Sequence, residues 1–231
     1  MRYIDAAPLN RLNDFLRGVD NGTYNIYGEM ECYSCKLAGF DKKLSRSLEQ
    51  EVLNMITASP SSFSTSPVGP LTDSSCRKTL VFLILTLNHM YPDYDFASLR
   101  AHHFFKEASP SAAKNDIDSL LLEAAKAWAQ HPARTEQPLL EALWSAIDEV
   151  ITLCDCDLYS YKAQVDEDPF SEEGNLWAFT FFFYNRRQKR ILCFSCRAVS
   201  KTMLEEDSDD ALDDHLLDED PMHPMDLDMD F

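Results

Sequence analysis

Four of the seven cysteines occur as two C-x-x-C pairs, a spacing that structural zinc sites use. The pairs are Cys32 with Cys35 and Cys193 with Cys196, and four thiolates form a common zinc ligand set. Both pairs, however, fall in segments predicted to be strands, where residues three apart point to opposite faces of a sheet. We therefore expect no metal and no cofactor. We expect reduced, mostly buried cysteines, with close to seven free thiols in the denatured chain.

A second candidate for a catalytic or metal site is a cluster of acidic residues between positions 155 and 173. Its members are Asp155, Asp157, Asp166, Glu167, Asp168, Glu172 and Glu173. Carboxylates of this kind can hold a catalytic metal ion, so the alternative function is a metal-dependent hydrolase. The order of the acids does not match a calcium loop, and no histidine has the H-E-x-x-H spacing. The competing interpretation is a solvated loop with a turn at Asp168–Pro169.

Motifs for nucleophilic or nucleotide chemistry are absent from the sequence. It contains no G-x-S-x-G motif and neither of the glycine-rich phosphate loops. With six glycines in 231 residues, the chain has little material for a loop that cradles a nucleotide. The residue pattern therefore gives an enzyme no positive support.

Positive charge is concentrated in Arg186, Arg187, Lys189 and Arg190, which we interpret as the only concentrated cationic patch. Such a patch can contact nucleic acid, act as a nuclear-import signal or receive an acidic partner. It can equally be a hairpin tip that its charge keeps soluble.

Three serines are candidates for phosphorylation. Ser59 and Ser66 each precede a proline, and Ser45 follows two lysines at positions 42 and 43. A phosphate adds about −1.5 to −2 charges. Ser45 is close in sequence to Lys36 and Arg46, so a phosphate there would neutralise part of a cationic surface. We expect it to weaken partner binding without unfolding the chain.

The net charge of −18 is unevenly distributed. Residues 205–231 contain thirteen acids and no Lys or Arg, which leaves only −5 for the rest of the chain. We predict one globular domain over residues 1–204 and an acidic, disordered tail over 205–231. A chain ended after Met203 should stay folded. This balance excludes a general nucleic-acid binder, and the cysteine usage favours the reducing nucleus or cytoplasm.

Helices and strands alternate along the domain. Apolar residues at helical spacing predict helices over Leu9–Leu16 with Gly18 at the end, from an Asp41 cap to Ile56, over Leu80–Leu85, over Asp116–Ala129 and over Leu139–Leu153. Extended segments are predicted at Tyr24–Cys35, Leu158–Tyr161, Leu176–Tyr184 and Ile191–Val199. The polar residues 185–189 have the length of a hairpin tip. A Ser/Pro-rich segment, residues 57–75, is predicted to be a mobile linker that interrupts the domain.

The strand near Trp177 is apolar on both faces, so helices should cover both sides of the sheet. The predicted fold class is α+β: an α/β sandwich with a central, mostly antiparallel sheet flanked by helices on both faces. The longest apolar run, Leu80–Leu87, is far shorter than the ~20 residues that span a bilayer.

The motifs occur in an order that resembles one known family. They are Tyr33–Lys36, Arg77–Leu80 with Thr86–Asn88, Pro92–Phe96, Cys156–Tyr161, Asp168–Phe170, Leu176–Phe179, Phe182–Arg186 and Phe194–Arg197. The chain is similar to the eukaryotic Maf repressors of RNA polymerase III transcription, and most of all to plant or algal members. The similarity covers essentially residues 1–197. One departure is that Lys162 to Gln164 follow Tyr161, where the family usually has Asn-Pro-Asp.

The resemblance implies a negative regulator of RNA polymerase III transcription rather than an enzyme. Its expected partners are the polymerase and its initiation factor, together with regulatory kinases and phosphatases. Phosphorylation by nutrient-signalling kinases would relieve repression, and the protein would shuttle between nucleus and cytoplasm. No membrane and no direct sequence-specific nucleic acid are expected. Matching by motif assigns partner binding to Lys36, Arg77 and Lys78, and nuclear import to Arg186–Arg190.

Overall fold

The computed structural model describes residues 1–58, 66–131, 137–163 and 168–201. This part of the chain contains six α-helices and seven β-strands, which confirms the predicted α+β class. The helices are α1 Ala7–Leu16, α2 Gly39–Ala58, α3 Ser74–Met90, α4 Pro110–Leu120, α5 Leu122–Gln130 and α6 Leu139–Ile151. The strands are β1 Arg2–Ile4, β2 Val19–Asp20, β3 Tyr24–Ser34, β4 Phe104–Lys106, β5 Cys156–Tyr161, β6 Asn175–Asn185 and β7 Arg190–Ser200.

The strands form one sheet in the order β1-β3-β7-β6-β5-β4, with β2 also paired to β3. Every strand pair among the described residues is antiparallel. The centre is β7, whose partners are β3 on one side and β6 on the other. The β6–β7 hairpin closes at Asn185 and Arg190, as predicted, and its turn puts Lys189 at a φ of 54°. The short strands β1, β2 and β4 were not predicted from the sequence.

Helices cover both faces of the sheet, as the doubly apolar strand predicted. One face, here called face A, packs against α1, α4, α5 and α6, and β6 contributes Phe181 and Phe183 to its core. The other, face B, packs against α2 and α3 and receives Phe182 and Tyr184 from the same strand. The alternation follows from the period of two along a strand. Each face therefore has its own hydrophobic core, and residues 1–200 form one compact unit.

One predicted helix is two helices in the structure. The segment expected as a single helix over Asp116–Ala129 divides at Leu121, whose backbone leaves the helical region between α4 and α5. Ile117, Leu121 and Trp128 are all buried on one stripe, so the apolar period continues across the break and conceals it. The first of the two helices also begins earlier than expected, because Ser109 accepts a hydrogen bond from the Ala112 amide at 3.2 Å.

The expected cap at Asp41 was wrong, since α2 begins two residues earlier, at Gly39. Asp41 lies within the first turn, and its carboxylate accepts hydrogen bonds from His89 at the end of α3, at 3.1 Å. It therefore ties α2 to α3 rather than capping its own helix.

The predicted linker, residues 57–75, divides into four parts. Its first two residues complete α2, residues 59–65 lie outside the described part of the chain, and residues 74 and 75 begin α3. Residues 66–73 form two turns, and Val68 and Leu71 in them are buried in the face B core. These turns are anchored to the domain, and mobility of residues 59–65 stays a prediction. The predicted tail, residues 205–231, lies outside the described residues. None of the helices described is both long and apolar enough to cross a membrane.

Candidate partner-binding surface

The residues assigned to partner binding and import gather at one end of the sheet. There β3 ends, and the amide of Cys35 donates to the carbonyl of Lys189 at the hairpin tip, at 2.9 Å. Lys36, the next residue, is therefore beside the β6–β7 turn. The register also places Arg2 opposite Ser34, at the same end.

Beside this end, α2 and α3 enclose a groove of about 400 Å3. Its floor is apolar and its rim is cationic, and we call it the α2–α3 groove. The floor consists of Leu37, Val81 and Phe82, and the rim of Lys42, Arg46 and Lys78. Ser45 and Glu49 also line it. Sequence reasoning missed the floor, because Val81 and Phe82 belong to a run that is apolar on all sides and gives no sign of which residues stay accessible.

The groove is continuous with the hairpin. The Phe82 ring makes an edge contact with Tyr184 of β6, with the ring centres 5.9 Å apart. One turn before Phe82, the hydroxyl of Thr79 accepts a hydrogen bond from the guanidinium of Arg186 at 3.4 Å. The structure thus brings Lys36, Ser45 and Lys78 to the end of the sheet where the β6–β7 hairpin turns. The cations of that hairpin, here called the hairpin cations, are Arg186, Arg187, Lys189 and Arg190.

The rim of the groove carries unneutralised charge. Within the described residues, no acid lies within ion-pair distance of Lys42, Arg46 or Lys78. Residues 36–46 hold four cations and one acid, Asp41. The interpretation of Arg186–Arg190 as the only concentrated cationic patch was therefore wrong.

Arg77 differs from its neighbour Lys78. Its Nη1 donates to the backbone carbonyls of Leu71 and Thr72 at 2.8 and 2.9 Å. Its Nε is 3.9 Å from Glu49, and its side chain is only 13% exposed. Arg77 thus fastens the preceding loop to α3. A partner contact at this residue stays a prediction.

Two of the four hairpin cations, Arg186 and Arg187, are neutralised by acids of the predicted carboxylate group. Asp157 accepts from Arg186 at 2.8 Å and from Lys106 at 2.7 Å, and Asp155 accepts from Arg187 at 3.1 Å. Burial would raise the pKa of Asp157, but its hydrogen bond with Lys106 and the two positive charges hold that pKa below its usual value. These acids serve as partners for cations.

The acids on the other side of the predicted cluster are also occupied. Glu172 accepts from Arg197 at 2.6 Å and from the hydroxyl of Tyr94. Asp168 accepts from the hydroxyl of Tyr161 and is only 3% exposed, so the solvated loop expected there was wrong at this residue. Burial raises the pKa of Asp168. Of the remaining members, Glu173 is exposed, and Asp166 and Glu167 lie outside the described residues.

Across the described ranges, no three His, Cys, Asp or Glu side chains come together as a metal site. Each C-x-x-C pair is split between the faces, as the strand argument predicted. Cys32 and Cys196 belong to the face A core, whereas Cys35 and Cys193 belong to face B. Burial raises the pKa of Cys32 to about 11 and that of Cys35 to about 12, which favours the protonated thiol over the metal-binding thiolate.

The candidate phosphorylation sites have different surroundings. Ser45 is half-exposed on α2 and faces the α2–α3 groove. The hydroxyl of Ser66 donates to the carbonyl of Gly69, so a phosphate there would disrupt this turn. Ser59 lies outside the described residues. Whether any of the three is phosphorylated stays a prediction.

Comparison with known proteins gives one consistent result. Residues 26–195 match the family described as Maf1 regulator. A repressor of RNA polymerase III transcription from Dictyostelium discoideum is 33% identical over 96% of this chain and 93% of its own length. The Schizosaccharomyces pombe repressor of the same name is 34% identical, over 87% of this chain and 84% of its own length.

Solved structures agree with this result. The crystal structure of citrus MAF1 superimposes with a TM-score of 0.68 at 42% identity, covering 84% of this chain and 99% of that one. The α+β fold is thus shared with a crystallised relative. Homologues of the chain are repressors of RNA polymerase III transcription, not members of a known enzyme family. The chain belongs to the Maf1 regulator family.

Proposed function

We propose that this chain represses RNA polymerase III transcription by binding the polymerase and its initiation factor, which keeps the polymerase from its promoters. The homologues named as repressors of this polymerase support the proposal. The location of the proposed binding surface is supported by one observation: Lys36, Lys78 and the groove rim lie together at one end of the sheet. Cations without internal partners are free to pair with acids of another protein.

Regulation at the same surface is part of the proposal. A phosphate on Ser45 would stand between Lys42, Arg46 and Lys78 and neutralise the rim. Phosphorylation would therefore release the polymerase and relieve repression. The exposed Lys189 and Arg187 at the hairpin tip would serve nuclear import, and the protein would move between nucleus and cytoplasm.

The test is retention of purified RNA polymerase III on the immobilised chain, alongside transcription of a transfer-RNA gene in a purified system. We expect Lys36→Glu and Lys78→Glu each to reduce retention about tenfold and to weaken repression in parallel. The matched control is Lys126→Glu on α5, whose lysine is also exposed but pairs within its own helix with Glu123 at 2.6 Å. Equal retention by all three variants would contradict the proposed surface, and a wild-type chain that neither binds nor represses would contradict the function.

A further inference from the structure

The α2–α3 groove combines two properties that select a particular kind of ligand. The floor exposes part of Phe82 and Leu37 between two helices, while Val81 beneath them is buried. The rim places three cations around that floor, two from α2 and one from α3. An apolar floor favours binding because apolar surface is removed from water. A cationic rim favours a ligand that carries negative charge.

We propose that this groove binds a short acidic segment of the partner that carries one or two large apolar side chains. The inference rests on the proposed function, because it states the chemistry of the partner at the same surface. A volume of about 400 Å3 is at the small end of ligand pockets. That volume accommodates a few side chains of a peptide and is too small for a folded element.

The charges of the groove favour an acidic segment over a basic one. Lys42, Arg46 and Lys78 lack an acidic partner within the described structure, so an incoming carboxylate does not have to displace an existing ion pair. The one acid that lines the groove, Glu49, is 3.9 Å from Arg77, which offsets its charge. A basic segment would meet three like charges and lose its hydration in return for one carboxylate.

The apolar floor separates a peptide from a nucleic acid. A phosphate backbone would satisfy the rim, but it has no side chain to cover Phe82 and Leu37, and most nucleic-acid affinity comes from phosphate charge alone. A segment with Leu or Phe between acids satisfies both parts of the groove. The same geometry explains the placement of Ser45, since a phosphate there occupies the cations that the acidic segment needs.

The experiment measures fluorescence anisotropy of a labelled synthetic peptide with Leu-Phe at its centre and Asp and Glu on both sides, titrated with the full chain. We expect saturable binding that weakens about tenfold or more in Lys78→Glu and in Lys42→Glu, and that weakens with added salt. Replacing Leu-Phe with Ser-Ser should weaken binding about as much. Phe82→Ala should do the same from the protein side. Because Phe82 contacts Tyr184, the melting temperature is measured for each variant, and the two lysine variants carry the test if Phe82→Ala does not fold.

Several outcomes would overturn the proposal. These are no saturable binding, equal binding by wild type and Lys78→Glu, indifference to the Leu-Phe pair, or tighter binding of a single-stranded oligonucleotide than of the peptide. Purified polymerase separates this inference from the proposed function. If the chain binds the peptide as expected but does not retain polymerase, the function fails and the groove chemistry stands. If retention depends on Lys78 and peptide binding does not, the groove chemistry fails and the function stands.

Discussion

The helices on the two faces of the sheet use their charges differently. On face A, Lys114 of α4 pairs with Asp118 at 3.2 Å, and Lys126 of α5 pairs with Glu123 at 2.6 Å. On face B, the first half of α2 and the start of α3 present Lys42, Arg46 and Lys78 without an acidic partner among the described residues. Helix α6 completes the contrast, because it holds three acids and no Lys or Arg.

Because the cations of the face B helices lack acidic partners, this side of the domain can still attract an acidic ligand. Exposed ion pairs such as those on α4 and α5 contribute little to stability, with a median of about 0–1 kcal/mol. Their effect on recognition is larger, because a paired cation offers an incoming acid less net attraction. The face B helices retain that attraction, and they do so around an accessible apolar floor.

The largest expected effect comes from reversing the unpaired charges. The double variant Arg46→Glu with Lys78→Glu should lose about ten- to hundredfold in polymerase retention, because like charges then face the acidic segment. Its melting temperature should stay close to wild type, since neither side chain has a charged partner to lose. The matched face A double variant, Lys114→Glu with Lys126→Glu, should retain polymerase normally. Similar losses for both doubles would show that overall charge matters rather than the groove.

The next effect separates two neighbouring cations. Arg77→Ala should lower the free energy of unfolding by about 1–3 kcal/mol, because the carbonyls of Leu71 and Thr72 lose a charged donor that is itself largely buried. Lys78→Ala should change it by less than about 0.5 kcal/mol, as for most surface substitutions. Urea denaturation of both variants measures the difference. A stability loss of the same size at Lys78 would mean that it too is a structural cation.

Most of the fold could be predicted from sequence, because the spacing of apolar residues differs between strands and helices. The strand near Phe182 alternates two apolar faces, and α6 repeats apolar residues at helical spacing, so both elements and the covered sheet follow from local pattern. The break at Leu121 could not be predicted, because its cause is a change of backbone conformation within an unbroken apolar stripe. Strands of two or three residues, such as Val19–Asp20, are too short to show a period.

The candidate surface was predictable in its residues but not in its geometry. Lys36, Ser45 and Lys78 are named by local motif and by resemblance, whereas the groove exists only because α2 and α3 lie side by side. The distinction between Arg77 and Lys78 also depends on tertiary structure. The carbonyls that Arg77 binds belong to a loop whose position no local pattern specifies.

A smaller effect is expected from Ser45, where a single charge enters the groove. Ser45→Asp should reduce polymerase retention about fivefold and weaken repression of a transfer-RNA reporter, whereas Ser45→Ala should match wild type. Circular dichroism of both variants should be unchanged, because Ser45 is half-exposed on α2. If Ser45→Asp binds and represses as well as Ser45→Ala, then Ser45 is not the regulatory site, and Ser59 and Ser66 become the better candidates.

The smallest effect is expected on stability when Arg186 loses its acidic partner Asp157, and it tests whether that ion pair contributes to folding. Its partner Asp157 has a pKa held below the usual value by Lys106 and Arg186, so the charged form of Asp157 stabilises the folded state. That contribution is fully present above the pKa of an unfolded aspartate, about 3.9, and is lost as the pH falls through the lower folded value. Asp157→Asn should therefore cost less than about 1 kcal/mol at neutral pH, since the group is partly exposed. The gap to wild type in urea denaturation should narrow as the pH falls below the unfolded value and through the lower folded one. If the difference in free energy of unfolding between wild type and Asp157→Asn does not change with pH, the destabilisation comes from packing and not from charge. Arg186 would then count among the cations that are available to a partner.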